Sequence, residues 1–149
     1  MCGIVGYVGH NENVLHVLID GLKKLEYRGY DSAGLAYVKN KKVIVKKEIG
    51  RVSNLEKVID YSIKTNIGIA HTRWATHGKV TKTNSHPHVQ GDIVLVHNGI
   101  IENYLHLKEE LLKKNYIFKS ETDTEVIPQL LEDLDDGDFL STVFKMKDK

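Results

Sequence analysis

Cys2 is the one cysteine among 149 residues, and it directly follows Met1, so removal of a single residue would make it the chain terminus. A terminal cysteine carries two reactive groups. Its thiol has a reference pKa of about 8.5 and its α-amine about 7.7–8.0, so near neutral pH the amine can accept the thiol proton without an imported histidine. A nucleophile that carries its own base is one way to run acyl transfer. Taken alone, Cys2 reads more simply as a small buried apolar residue, and it is the neighbours that favour the chemical reading. Other chemistry-bearing side chains gather in three stretches: His71-Thr72-Arg73-Trp74-Ala75-Thr76-His77, Ser85-His86-Pro87-His88 and His97-Asn98-Gly99. His77, His86, His88 and His97 could be read as metal ligands, but His-x-His does not by itself supply a tetrahedral site and no second cysteine helps. We expect no metal and no cofactor. Asn98-Gly99 between apolar runs is, in isolation, a hairpin signal.

The elements that must position these residues are legible in part. Ile4, Val5, Tyr7 and Val8, punctuated by Gly3, Gly6 and Gly9, predict a short strand that would hold the terminus still. Val14, Leu15, Leu18, Leu22 and Leu25 fall at helical spacing, with Asn11 or Asn13 as cap. Ala33 to Val38 and Val43 to Ile49 predict a hairpin with a four-residue basic connection. Ser53-Asn54-Leu55-Glu56 fits a capping box opening a helix that runs to about Tyr61. Ile67 to Thr72 is again strand-like, and the polar stretch from Arg73 to Asp92 lacks periodicity, which at about 20 residues marks function or disorder. Ile93 to Val96 predicts a strand, Asn103 to Asn115 a helix, and Asp123 to Leu134 a second helix that Pro128 should kink or shorten. The acidic residues Glu132, Asp133, Asp135, Asp136 and Asp138 read as a solvated turn before a helix carrying Phe139, Leu140, Val143, Phe144 and Met146.

Composition bounds the remaining possibilities. A formal charge of +1 from 21 basic and 20 acidic residues leaves no electrostatic footprint for nucleic acid or for a membrane surface. No apolar run approaches membrane-spanning length, and the first residues lack the pattern of a signal peptide. The expected location is the cytoplasm, where a single unpaired thiol is at home.

Five strings occur together and in order: Cys2-Gly3-Ile4-Val5-Gly6, Leu25-Glu26-Tyr27-Arg28-Gly29-Tyr30-Asp31-Ser32-Ala33-Gly34, His71 through Gly78, His97 through Asn103, and Ser120 through Glu125. On these strings the chain resembles the N-terminal glutaminase domain of class II glutamine amidotransferases, and within them the glutamine–fructose-6-phosphate aminotransferases. The resemblance spans nearly the whole chain. It implies an α+β fold, the αββα sandwich of the N-terminal-nucleophile hydrolase type, C-terminally incomplete. It implies glutamine as substrate, Cys2 as nucleophile, and the Asn98 side-chain amide with the Gly99 backbone N–H as oxyanion donors. Arg73 matches the position that holds the α-carboxylate of glutamine and Asp123 the one that holds its α-ammonium. Thr76 and His77 match a loop that closes over glutamine, Trp74 a residue that gates ammonia passage, and Arg28 a residue supporting these contacts from behind.

By the same resemblance, residues 2–149 are a truncated glutamine amidotransferase type 2 domain, and the sugar isomerase domains that bind fructose 6-phosphate are absent. Full-length members are expected to be homo-oligomers. A non-catalytic remnant of such an enzyme is the alternative. Missing strands would leave apolar surface exposed, so marginal stability is expected.

Overall fold

A computed structural model describes residues 2–75 and 78–149 of the chain. They fall into two compact units: the first runs to Pro87 and includes Val96–Asn98, the second comprises His88–Leu95 and Gly99–Lys149.

The first unit is built on one antiparallel sheet. Its strands are β1 (Gly3–Val8), β2 (Ser32–Lys39), β3 (Lys42–Ile49) and β4 (Ile67–Arg73), in the order β1-β4-β2-β3. Helix α1 (Val14–Leu25) presents Val14, Leu15, Leu18, Ile19 and Leu22 on a single stripe, and this stripe packs with Leu35, Tyr37 and Ala70. The register aligns Val5, Ala70 and Leu35 across three strands, so one face of the sheet is the core face. Side chains alternate along a strand. Ile4, His71 and Gly34, aligned in the next row, must therefore face the other way, together with Arg73 two residues beyond His71. That second face carries the candidate residue Arg73.

Three local expectations change here. The β2–β3 connection is two residues, Asn40 and Lys41, both at positive φ (50° and 62°), which is the backbone of a type I′ turn and lets pairing reach Lys39 and Lys42. The capping box does not form. Helix α2 (Val52–Glu56) starts one residue before Ser53, the Val52 N–H donates to Glu26 Oε1 at 2.7 Å, and Glu56 pairs with Lys23. A long-range partner has taken the Glu56 carboxylate that the box would use. Asn13 caps α1 by position only; its side-chain oxygen accepts from Lys64 Nζ at 2.6 Å.

The second unit contains the short antiparallel pair β5 (His88–Gln90) and β6 (Ile93–Leu95), with helices α3 (Tyr104–Lys113), α4 (Val126–Leu134) and α5 (Phe139–Lys147). Leu107, Leu111, Val126 and Leu130 form its core, against which Tyr116, Phe118 and Met146 pack. The stretch from Arg73 to Asp92 thus ends in a strand, one too short to carry a visible period. Pro128 does not kink α4. A 3₁₀ turn over Asp123–Glu125 precedes the helix, so Pro128 is only its third residue, in the first turn, where backbone N–H groups have no intrahelical acceptor. The acidic stretch is more than a solvated turn: Asp133 pairs with Lys114, Asp136 with Lys145, and Asp138 accepts from the Leu140 N–H at the start of α5. The Lys145 ammonium holds the Asp136 carboxyl down to about 2.

Candidate active site

Cys2 lies one step beyond the Gly3–Thr72 pair of β1 and β4, which brings it level with Arg73. Gly3 is pinned there twice, by the sheet register and by its N–H donating to Thr72 Oγ1 at 3.1 Å. The Cys2 sulfur accepts from the Trp74 backbone N–H at 3.2 Å. Asn98 Nδ2 donates to the Cys2 carbonyl oxygen at 3.2 Å. The nucleophile candidate and one oxyanion-donor candidate are therefore neighbours. Asn98 Oδ1 lies 2.9 Å from His71 Nε2.

Arg73 is buried at the end of β4 and its guanidinium donates to the Lys79 carbonyl at 3.3 Å. Asp31 braces the same strand end: its N–H donates to the Arg73 carbonyl, and its carboxylate accepts from the Ala75 N–H. Trp74 is half-exposed and packs edge-on against Tyr30, their centroids 5.6 Å apart. Arg28 ends the 3₁₀ turn Glu26–Arg28 that follows α1.

Gly99 and Asp123 belong to the second unit. Asn98-Gly99 is not a hairpin turn, since no strand follows it, and Gly99 adopts φ 148°. Asp123 Oδ2 accepts from the Ile101 N–H at 2.7 Å, which fixes the carboxylate against the segment that follows Gly99. Thr76 and His77 lie outside the described residues.

The histidines are used as hydrogen-bonding and stacking groups. His86 Nδ1 accepts from the His97 N–H at 3.2 Å, and its ring stacks on His71 at 4.2 Å. His88, in the second unit, meets Thr122 Oγ1 through Nε2 at 3.0 Å. Among the described residues no group of three His, Cys, Asp or Glu side chains is placed to hold a metal ion, and no helix is long and apolar enough to cross a membrane. An open cleft of about 500 Å³ in the second unit, lined by Gln90, Lys114, Tyr116 and Glu132 among others, contains none of the candidate residues.

Residue-by-residue reading assigned no role beside Cys2 to His71 or Asp31, and weighed His86 only as a metal ligand. His71 had a signal: a histidine two residues before Arg73 in a strand must share its face. Burial lowers its pKa to about 4, against the opposing effects of the bond to Asn98, the His97 backbone and Asp31, with Arg73 adding to the lowering.

Residues 58–143, more than half of the chain, match the model of the glutamine amidotransferase domain. The chain belongs to this family. Among curated glutamine amidotransferase relatives, it is 54% identical over 150 residues to the glutamine–fructose-6-phosphate aminotransferase (isomerizing) of Aquifex aeolicus, covering 97% of this chain and 25% of that protein. It is 53% identical over 148 residues to the enzyme of the same name from Clostridium perfringens, covering 97% and 24%. The chain thus spans about a quarter of the length of these relatives. The glutamine phosphoribosylpyrophosphate amidotransferase structure from B. subtilis superposes with a TM-score of 0.80 at 26% identity, over 96% of this chain and 31% of that one. The mixed α and β architecture is therefore that of a glutamine amidotransferase domain.

Proposed function

We propose that this chain is the glutaminase part of a glutamine–fructose-6-phosphate aminotransferase, working in the cytoplasm on free glutamine. In the first step the Cys2 sulfur attacks the side-chain carbonyl carbon of glutamine while its proton passes to the Cys2 α-amine. Negative charge collects on the carbonyl oxygen, where the Asn98 amide and the Gly99 N–H act as preorganised donors. The carbon–nitrogen bond then breaks, the leaving nitrogen takes the proton back, and ammonia departs. Water hydrolyses the γ-glutamyl thioester to glutamate and restores the thiol.

Arg73 suits the α-carboxylate because a guanidinium can present two parallel N–H donors, and Asp123 suits the α-ammonium as a fixed anion. Thr76 and His77 would close over the substrate, Trp74 would gate ammonia, and Arg28 would support the site from behind. In the whole protein the ammonia would pass to fructose 6-phosphate to form glucosamine 6-phosphate, on sugar isomerase domains outside residues 2–149 and within a homo-oligomer.

The observation that carries the reading is the seating of Cys2, whose sulfur and carbonyl are both held by groups from the Arg73–Trp74 and Asn98 segments. Intact mass after incubation with a glutamine-mimicking diazoketone tests it. Loss of methionine with one adduct, absent in Cys2→Ala, is the expected spectrum. A folded, methionine-free chain that takes no adduct would instead favour a non-catalytic remnant.

A further inference from the structure

The geometry points to His71 as the positioning residue that sets the polarity of the Asn98 side-chain amide, so that nitrogen rather than oxygen is presented at the nucleophile. The inference rests on the glutaminase reading above for its catalytic meaning. An amide can be turned end for end at little steric cost, and in the wrong orientation Asn98 would aim an acceptor at a developing oxyanion. Two bonds oppose that turn. Asn98 Nδ2 donates to the Cys2 carbonyl at 3.2 Å, which requires nitrogen on that side, and Oδ1 then faces His71 Nε2 at 2.9 Å. An oxygen is an acceptor only, so Nε2 must carry the hydrogen. One Nδ2 hydrogen goes to Cys2, and the second remains on the same nitrogen for an incoming oxyanion.

His71 is built to hold this role. It is 1% exposed, and its ring is sandwiched against His86, with centroids 4.2 Å apart and planes 16° from parallel. His86 can lie there because Gly34, beside His71 in the sheet register, has no side chain. A Cβ at Gly34 would come within 2.1 Å of the His86 carbonyl oxygen. Burial keeps the imidazole neutral, so a single tautomer, rather than a charge, decides which end of Asn98 faces the sulfur.

The test is a double-mutant cycle on the full chain, read as glutaminase kinetics. His71→Phe keeps the ring stack and removes the donor; we expect kcat to fall about 30- to 100-fold with KM within threefold. The same substitution made on Asn98→Ala is expected to add less than threefold, because its target is gone. His71→Gln, whose amide can replace Nε2–H, is expected to recover at least tenfold over His71→Phe. Multiplicative losses in the double variant overturn the inference, as does an undiminished kcat in folded His71→Phe. ¹⁵N spectra of the unsubstituted chain give a second readout that needs no turnover. The Nε2–H tautomer is expected; the Nδ1–H tautomer overturns the inference. An inactive wild-type chain showing the Nε2–H tautomer would count against the glutaminase reading and leave the positioning intact.

Discussion

Asn98 serves two masters, donating to the backbone of Cys2 and accepting from His71. Losing its amide should therefore remove an oxyanion donor without disturbing the rest of the glutamine clamp. For Asn98→Ala we expect a kcat loss of about 10²–10³, or roughly 2.7–4 kcal/mol of barrier, with KM nearly unchanged; a change confined to KM would contradict this. His71 adds a stability signature. Its folded pKa of about 4 lies below the ordinary histidine value of about 6.5 because burial disfavours the imidazolium, so the unfolded chain binds the proton more readily. Stability linked to this group is complete above pH 6.5 and is lost as pH falls toward 4. Asn98, Asp31 and the His97 backbone soften the shift and Arg73 deepens it, with His86 stacked alongside. Linkage puts the loss at about 2 kcal/mol by pH 5 relative to pH 7.5. Urea titrations of wild type and His71→Phe at both pH values should show this slope in the first and a correspondingly shallower one in the second.

At the scale of elements, the second face of the β1-β4-β2-β3 sheet is where packing and chemistry meet. Gly34 is the narrowest point: its missing side chain lets the chain at His86 lie against β2. Gly34→Ala should cost about 1–3 kcal/mol as an overpacked site and should also lower kcat, by lifting His86 from His71. Chemical denaturation and glutaminase kinetics on the same variant check both halves. Long periodic segments such as α1 and the β2–β3 hairpin were legible in the sequence because burial of one stripe or face repeats at a fixed spacing. What was not legible came from tertiary competition. Lys23 took the Glu56 carboxylate that a capping box at Ser53 would have used, and Glu26 anchored the helix start one residue earlier, at the Val52 N–H. The 3₁₀ turn at Asp123 moved the helix start and made Pro128 harmless. The type I′ turn at Asn40-Lys41 lacks the glycine that usually announces one.

For the whole molecule, the strings around Cys2, Arg73, Asn98 and Asp123 made the family readable because they are held in order along the chain. Individual roles such as that of His71 required the register. Phe139, Leu140 and Phe144 on α5 are each more than 60% exposed, a strip of apolar surface on the second unit. Leu140→Lys with Phe144→Lys should leave the thermal midpoint within about 2 °C, as exposed substitutions do, while reducing light scattering on heating; a large fall in the midpoint would show the strip to be covered. The unsubstituted chain should melt below about 60 °C.

Among the described residues strand β1 pairs with β4 alone, since it stands at the edge of its sheet. About sixty residues separate the two strands. On a ribosome adding about 5–20 residues per second, β1 therefore waits roughly 3–12 s for its partner to be made. During that interval the first residues lack their strand partner, so the Met1 removal that the proposed mechanism requires would meet an unpaired terminus. A distant partner on a single side would thus set an order at the chain's birth, with any trimming of the terminus coming before its locking into the sheet.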